Sequence, residues 1–136
     1  MTRKTLRRLD PTEADTLKAI CDWLDVQQRQ GKLLYIRHNP PMMTSKRVDG
    51  KTKVIFKKVR ESQLGAPDLM VFKRNQYPRL ADWENKGVVT DVLCIEVKSP
   101  TGKLSAYQDC WCGMAIDQGM RHIIARSLEE VIKALG

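Results

Sequence analysis

A carboxylate and an ammonium, Glu96 and Lys98, stand two residues apart in the apolar run VLCIEVKSP (92–100). In a strand, successive side chains alternate faces, so Glu96 and Lys98 share one side while Val97 takes the other. Such a pair on a solvated strand is an ordinary salt link. Here Leu93, Cys94, Ile95 and Val97 make the run apolar on both faces, which favours a placed, functional pair. Asp68 follows Gly65-Ala66-Pro67 and opens a second apolar run, LMVFK (69–73). It is either a plain turn residue or, if the two runs are neighbouring strands, a carboxylate that meets Glu96 at one edge of a sheet. Two carboxylates so placed repel one another. A hard divalent cation between them relieves the repulsion, taking oxygen ligands from both, from water and from a backbone carbonyl such as that of Val97. Such an ion lowers the pKa of a bound water and stabilises charge on a phosphoryl oxygen. Lys98 would orient the water or offset charge growing on the phosphate.

The elements that must hold these groups follow from pattern. Asp10-Pro11-Thr12-Glu13 reads as a helix start with Asp10 as cap, Pro11 in the first helical position and Glu13 closing a capping-box-like pattern. Leu17, Ile20, Cys21 and Leu24 form its apolar stripe, Gly31 ends it, and Glu13 falls on the stripe four residues before Leu17. Strands are expected at 33–37, 51–60, 69–73 and 91–98. His38 to Ser45, with Pro40 and Pro41, reads as a loop, and Asp49-Gly50 as a possible hairpin turn. Residues 74–90 read as a long irregular excursion. Ser105 and Gln108 make a second capping box for a helix with apolar Tyr107, Cys110, Trp111, Met114 and Ala115, closed by Gly119. A short strand at 121–125 and a helix capped by Ser127 with Glu130 complete the chain. The expected order is α-β-β-β-β-α-β-α, an α/β fold with a mixed sheet flanked by helices.

Three motifs now lie in order on suitable elements: Gly65-Ala66-Pro67-Asp68, Glu96-Val97-Lys98, and Gly102-Lys103-Leu104-Ser105 with Gln108 and Trp111 beyond. Acid and base two apart on a strand is common, but the joint pattern is specific. It resembles the PD-(D/E)XK nucleases, and among them the virus-type replication–repair nuclease (VRR-NUC) domains, over nearly the whole chain. The resemblance implies a restriction-endonuclease-like core that hydrolyses nucleic-acid phosphodiesters with Mg2+ (or Mn2+). By position, Asp68 and Glu96 would ligate the metal with the Val97 carbonyl, Lys98 would be the catalytic lysine, Glu13 the first-helix acid reaching the metal shell, directly or through water, and Gln108 a support of the site. Small stand-alone members, often from phages, are associated with homodimers acting on branched DNA such as four-way junctions. Residues 74–90 depart from the pattern, so they bear on substrate choice or the dimer surface. The alternatives are a flap or sequence-specific nuclease, or a non-catalytic nucleic-acid-binding module on a nuclease fold.

The totals agree with these expectations. A chain of 136 residues is enough for a single domain, here read as 1–136 with a basic arm at 1–9. A net charge of +8 and a pI of about 9.5 favour a polyanionic partner. Lys46, Arg47, Lys51, Lys53, Lys57, Lys58 and Arg60 face one acid, Asp49, and Arg3, Lys4, Arg7 and Arg8 cluster at the N-terminus. These eleven are the candidate backbone-phosphate contacts, supplying affinity rather than sequence reading. Cys21, Cys94, Cys110 and Cys112 lack paired C-x-x-C spacing, which suits a reduced intracellular, cytoplasmic protein with burial as their default. The basic N-terminus has no apolar signal core behind it, and no apolar run approaches the roughly 20 residues that cross a bilayer. No phosphate-cradling Gly-x-x-x-x-Gly-Lys loop is present, so no nucleotide cofactor is expected. His38 and His122 have no partner at useful spacing and read as surface or core filling; Ser99 and Ser105 fit no Ser/His/Asp arrangement.

Overall fold

The two apolar runs do become neighbouring strands. The computed structural model describes residues 11–38, 43–56, 63–77, 79, 84 and 86–136. Within them the chain forms α1 (Glu13–Arg29), β1 (Leu34–Arg37), β2 (Met43–Val48), β3 (Lys51–Phe56), β4 (Leu69–Gln76), β5 (Val88–Val97), α2 (Ala106–Asp117), β6 (Arg121–Ala125) and α3 (Leu128–Leu135). Four strands make an open mixed sheet in the order β1-β4-β5-β6. β4 runs antiparallel to β1 and β5, whereas β5 and β6 are parallel, with α2 as the crossover that parallel pairing demands. This is the expected α/β architecture, consistent with a restriction-endonuclease-like fold.

Strand alternation sorts the sheet into two faces. Leu69 and Val71 of β4 stand with Leu93, Ile95 and Val97 of β5 and Ala125 of β6, all buried against Ile20 and Leu24 of α1 and Val131 and Leu135 of α3. Burial of each leucine, isoleucine or valine side chain among them stabilises the fold by about 1.5–3 kcal/mol. Glu96 falls on the opposite face with Met70, Phe72 and Cys94, where α2 lies. That face is only partly covered. Leu34 and Ile36, opposite Phe72 and Met70 on the edge strand, are 64% and 53% exposed.

The structure departs from the sequence expectations at several points. The first helix is capped by Thr12, not Asp10, and the capping-box partner is Asp15. Glu13 is therefore the first helical residue and has no capping duty. The expected loop from His38 to Ser45 contains the start of β2. Pro40 and Pro41 lie ahead of Met43, so every β2 residue keeps the N–H needed to pair with β3. The two form a separate hairpin whose turn residues Asp49 and Gly50 both have positive φ, 53° and 73°, as a type I′ turn requires. The two ends of the excursion expected at 74–90 are strand: Arg74, Asn75 and Gln76 pair with Thr90, Val89 and Val88. Its Asn and Gln residues mask the strand pattern, and cross-strand bonding overrides them. The stripe expected on α2 is buried only at Ala115; Tyr107 and Met114 are more than half exposed and Cys110 is exposed too. A single helix on a partly open face has little to bury against. Finally, the Glu130 carboxylate accepts from the Arg126 N–H rather than closing a capping box on Ser127.

Candidate active site

The antiparallel register that sets Leu69 opposite Ile95 brings Asp68 beside Glu96. Pro67, fully buried, anchors the approach, and the Asp68 Oδ2 accepts the Val97 N–H at 2.8 Å. That bond fixes one carboxyl to the backbone of the strand carrying the other. Glu96 is 2% exposed. Its Oε1 accepts from Gln108 Nε2 at 2.7 Å and lies 4.0 Å from Lys98 Nζ. Its Oε2 is buried with no hydrogen-bond partner among the described residues. Burial, then the Asp68 charge, pushes the Glu96 carboxyl up to about 8; Lys98 opposes the shift, while close approach of the Asp68 side chain and, less, the Glu13 charge add to it. The pair of carboxyls therefore takes on its second negative charge less readily than its first.

The flanking segments are held as tightly. Lys98 continues the pairing with β6 by donating its N–H to the Ala125 carbonyl at 3.0 Å. Gln108 serves twice: its Oε1 accepts from the Ser105 N–H at 2.9 Å in the capping box while its Nε2 reaches Glu96. Gln108 thus closes the cap and at the same time hydrogen-bonds Glu96. Gly65, with φ of 83°, lies against the first turn of α2, too close for any side chain. Arg126 Nη1 donates to the carbonyls of Ser99 and Gly102 at 2.5 and 2.8 Å and so ties down the turn between β5 and α2. Arg126 carries no signal in the sequence, because only the β5–β6 pairing reveals that it faces that turn.

Asp68, Glu96, Lys98 and Gln108 are therefore brought together. Glu13 is exposed at the start of α1, within electrostatic range of Glu96. Among the described residues no group of three or more His, Cys, Asp or Glu side chains is placed to hold a metal ion. Asp68 and Glu96 suit an ion that takes the rest of its oxygens from backbone and water, as Mg2+ does. The unpartnered Oε2 fits that description. His38 and His122 each carry a buried Nε2 without a partner among the described residues, and burial lowers the pKa of His122.

The basic residues are less completely placed. Lys46 lies opposite Lys53, Arg47 opposite Thr52 and Val48 opposite Lys51 in the hairpin, and Lys51 is exposed. Lys57, Lys58, Arg60, Arg3, Lys4, Arg7 and Arg8 lie outside the described residues. No described helix is long and apolar enough to cross a membrane. All four cysteines are free thiols.

No curated protein and no solved structure matches the chain. The VRR-NUC domain family does, over residues 10–129, an interval that runs from the start of α1 into α3 and contains Asp68, Glu96, Lys98 and Gln108. With a match over most of its length, the chain belongs to the VRR-NUC family and is a nuclease domain acting on DNA.

Proposed function

We propose that this protein is a metal-dependent endodeoxyribonuclease that hydrolyses phosphodiester bonds in branched DNA, four-way junctions above all, as a homodimer. The observation that carries the metal requirement is Glu96: a carboxylate buried beside Asp68, with one oxygen unpartnered among the described residues. Two ionised carboxylates in that position are favourable only around a cation. Asp68 and Glu96 would hold Mg2+ or Mn2+ with the Val97 carbonyl, and Glu13 would reach the same ion through water. The ion supplies an activated water and stabilises charge on the phosphoryl group.

The remaining roles belong to the chain itself. Val97 N–H fixes the Asp68 carboxylate, and Gln108 fixes Glu96, so neither must reorganise during the reaction. Lys98, on the face of Glu96 and largely shielded, donates to the attacking water or to a nonbridging phosphate oxygen. The hairpin with Lys46, Arg47, Lys51 and Lys53, together with Lys57, Lys58, Arg60, Arg3, Lys4, Arg7 and Arg8, grips backbone phosphates. The junction and the dimer rest on the family resemblance. The exposed Tyr107, Met114 and Ile116 of α2 support a dimer, and two sites are needed to cut two strands.

Incubation with a labelled four-way junction, a flap and a linear duplex, with Mg2+ or EDTA and alongside Glu96→Ala, tests the proposal. Mg2+-dependent paired nicks on the junction, absent in the variant although binding persists, are expected. Cutting of another substrate overturns the junction reading. Binding to all three without cutting, in Mg2+ and Mn2+ alike, favours a non-catalytic binding module.

A further inference from the structure

We propose that His38 belongs to the same site, hydrogen-bonding through its imidazole to an oxygen ligand of the cation held between Asp68 and Glu96. The inference rests on the metal-site reading above and adds a residue to it.

The first support is position. The His38 N–H donates to the Asp68 carbonyl at 2.8 Å, extending the β1–β4 ladder one pair beyond Arg37 and Leu69. Residues opposite one another in an antiparallel pair share a face, with Cβ atoms about 5 Å apart. Alternation from Leu34 and Ile36 places His38 on the Glu96 face, so His38, Asp68 and Glu96 stand in a row across β1, β4 and β5. The strand order of the folded sheet, not spacing along the chain, creates this row.

The second support is unmet hydrogen bonding. His38 Nε2 and Glu96 Oε2 are both buried without a partner among the described residues, one on either side of Asp68. A buried polar atom left so destabilises the fold by its uncompensated desolvation. The two do not satisfy each other, so a single occupant between them is the economical resolution. A cation satisfies Oε2, and a water or phosphate oxygen on that cation satisfies Nε2. His38 does not form a three-residue cluster with the two acids, which assigns it to the outer shell rather than to direct ligation. Groups in that position orient the ligands and set affinity by about 10–100-fold. His122 has an equally unpartnered nitrogen but stands opposite Cys94, away from Asp68.

The test is calorimetric titration of the full chain with Mn2+, without DNA, for wild type, His38→Ala, His38→Gln and Glu96→Ala. Metal-free melting of each variant separates a folding effect from a site effect. His38→Ala should weaken Mn2+ binding by about 10-fold or more at unchanged metal-free stability. His38→Gln, whose amide nitrogen reaches the region of Nε2, should restore most of it. If His38→Ala does not fold, His38→Phe, which keeps the ring and removes its nitrogens, carries the same expectation. Unchanged affinity in the His38 variants, with binding lost in Glu96→Ala, overturns the role of His38 and leaves the metal site standing. Equal weakening in the Gln variant also overturns it. No Mn2+ binding to the wild type overturns the metal site and this inference together.

Discussion

A Cβ placed on Gly65 would stand 2.1 Å from the carbonyl oxygen of Tyr107. The loop leading into Asp68 and the first turn of α2 therefore meet backbone to backbone, and this contact sets how far Gln108 is from Glu96. Glycine is required there twice over, for its φ of 83° and for the space. Gly65→Ala should lower stability by about 2–3 kcal/mol in urea unfolding. Cleavage should fall further than the folded fraction explains, because α2 must retreat from the carboxyls. Wild-type activity in the folded fraction would break the link between the contact and the site.

Glu96 makes stability depend on pH in the metal-free protein. Its carboxyl is raised from 4.5 to about 8, so between those values the folded state holds a proton that the unfolded state has released. Stability is then fully present below about 4.5 and declines as pH rises through about 8. Melting curves in EDTA from pH 5 to 8.5 should show this decline, and Glu96→Gln should remove much of it. Mg2+ should restore the wild type at the alkaline end and leave the variant little changed.

Gln108→Glu separates the two duties of that side chain. Glutamate closes a capping box as well as glutamine does, but cannot donate to Glu96 and adds a third carboxylate beside it. Folding in Mg2+ should be near wild type, whereas cleavage should drop at least about 10-fold through misplacement of Glu96. A large loss of stability with cleavage intact would show that the cap is the residue's real work.

Arg126→Ala removes two charge-assisted bonds to the turn between β5 and α2. A loss on the order of 2 kcal/mol is expected in denaturant titration, since bonds to charged groups contribute about 1.5–3 kcal/mol each before the turn relaxes. Turnover should fall while DNA affinity, measured in EDTA, stays the same. Weakened binding instead would place Arg126 on the DNA surface.

The sequence discloses the grouping of the candidate residues better than what supports it. The meeting of Asp68, Glu96 and Lys98 is legible because charged residues in or beside strands apolar on both faces conflict with local burial. The Asp49-Gly50 turn is legible because few residues tolerate two positive φ values in succession. His38 and Arg126 are silent, since each acquires its meaning from a neighbour that only the strand order supplies. Arg74-Asn75-Gln76 misleads as a loop because pairing with Val88, Val89 and Thr90 decides its conformation. Glu13 is misassigned as a capping residue because Thr12 and Asp15 offer the same pattern two residues along.

β4 and β5 pair as antiparallel arms, with the carboxylates at one end of the ladder and the Gln76–Val88 pair at the other. Eight residues of β4, at about 3.3 Å each, put roughly 25 Å between them. The far end of the ladder is thus remote from the carboxyls, joined to them by two paired strands. Changes beyond that end leave the carboxyl geometry untouched, much as a changed handle leaves a blade, which makes it the natural place to graft a reporter.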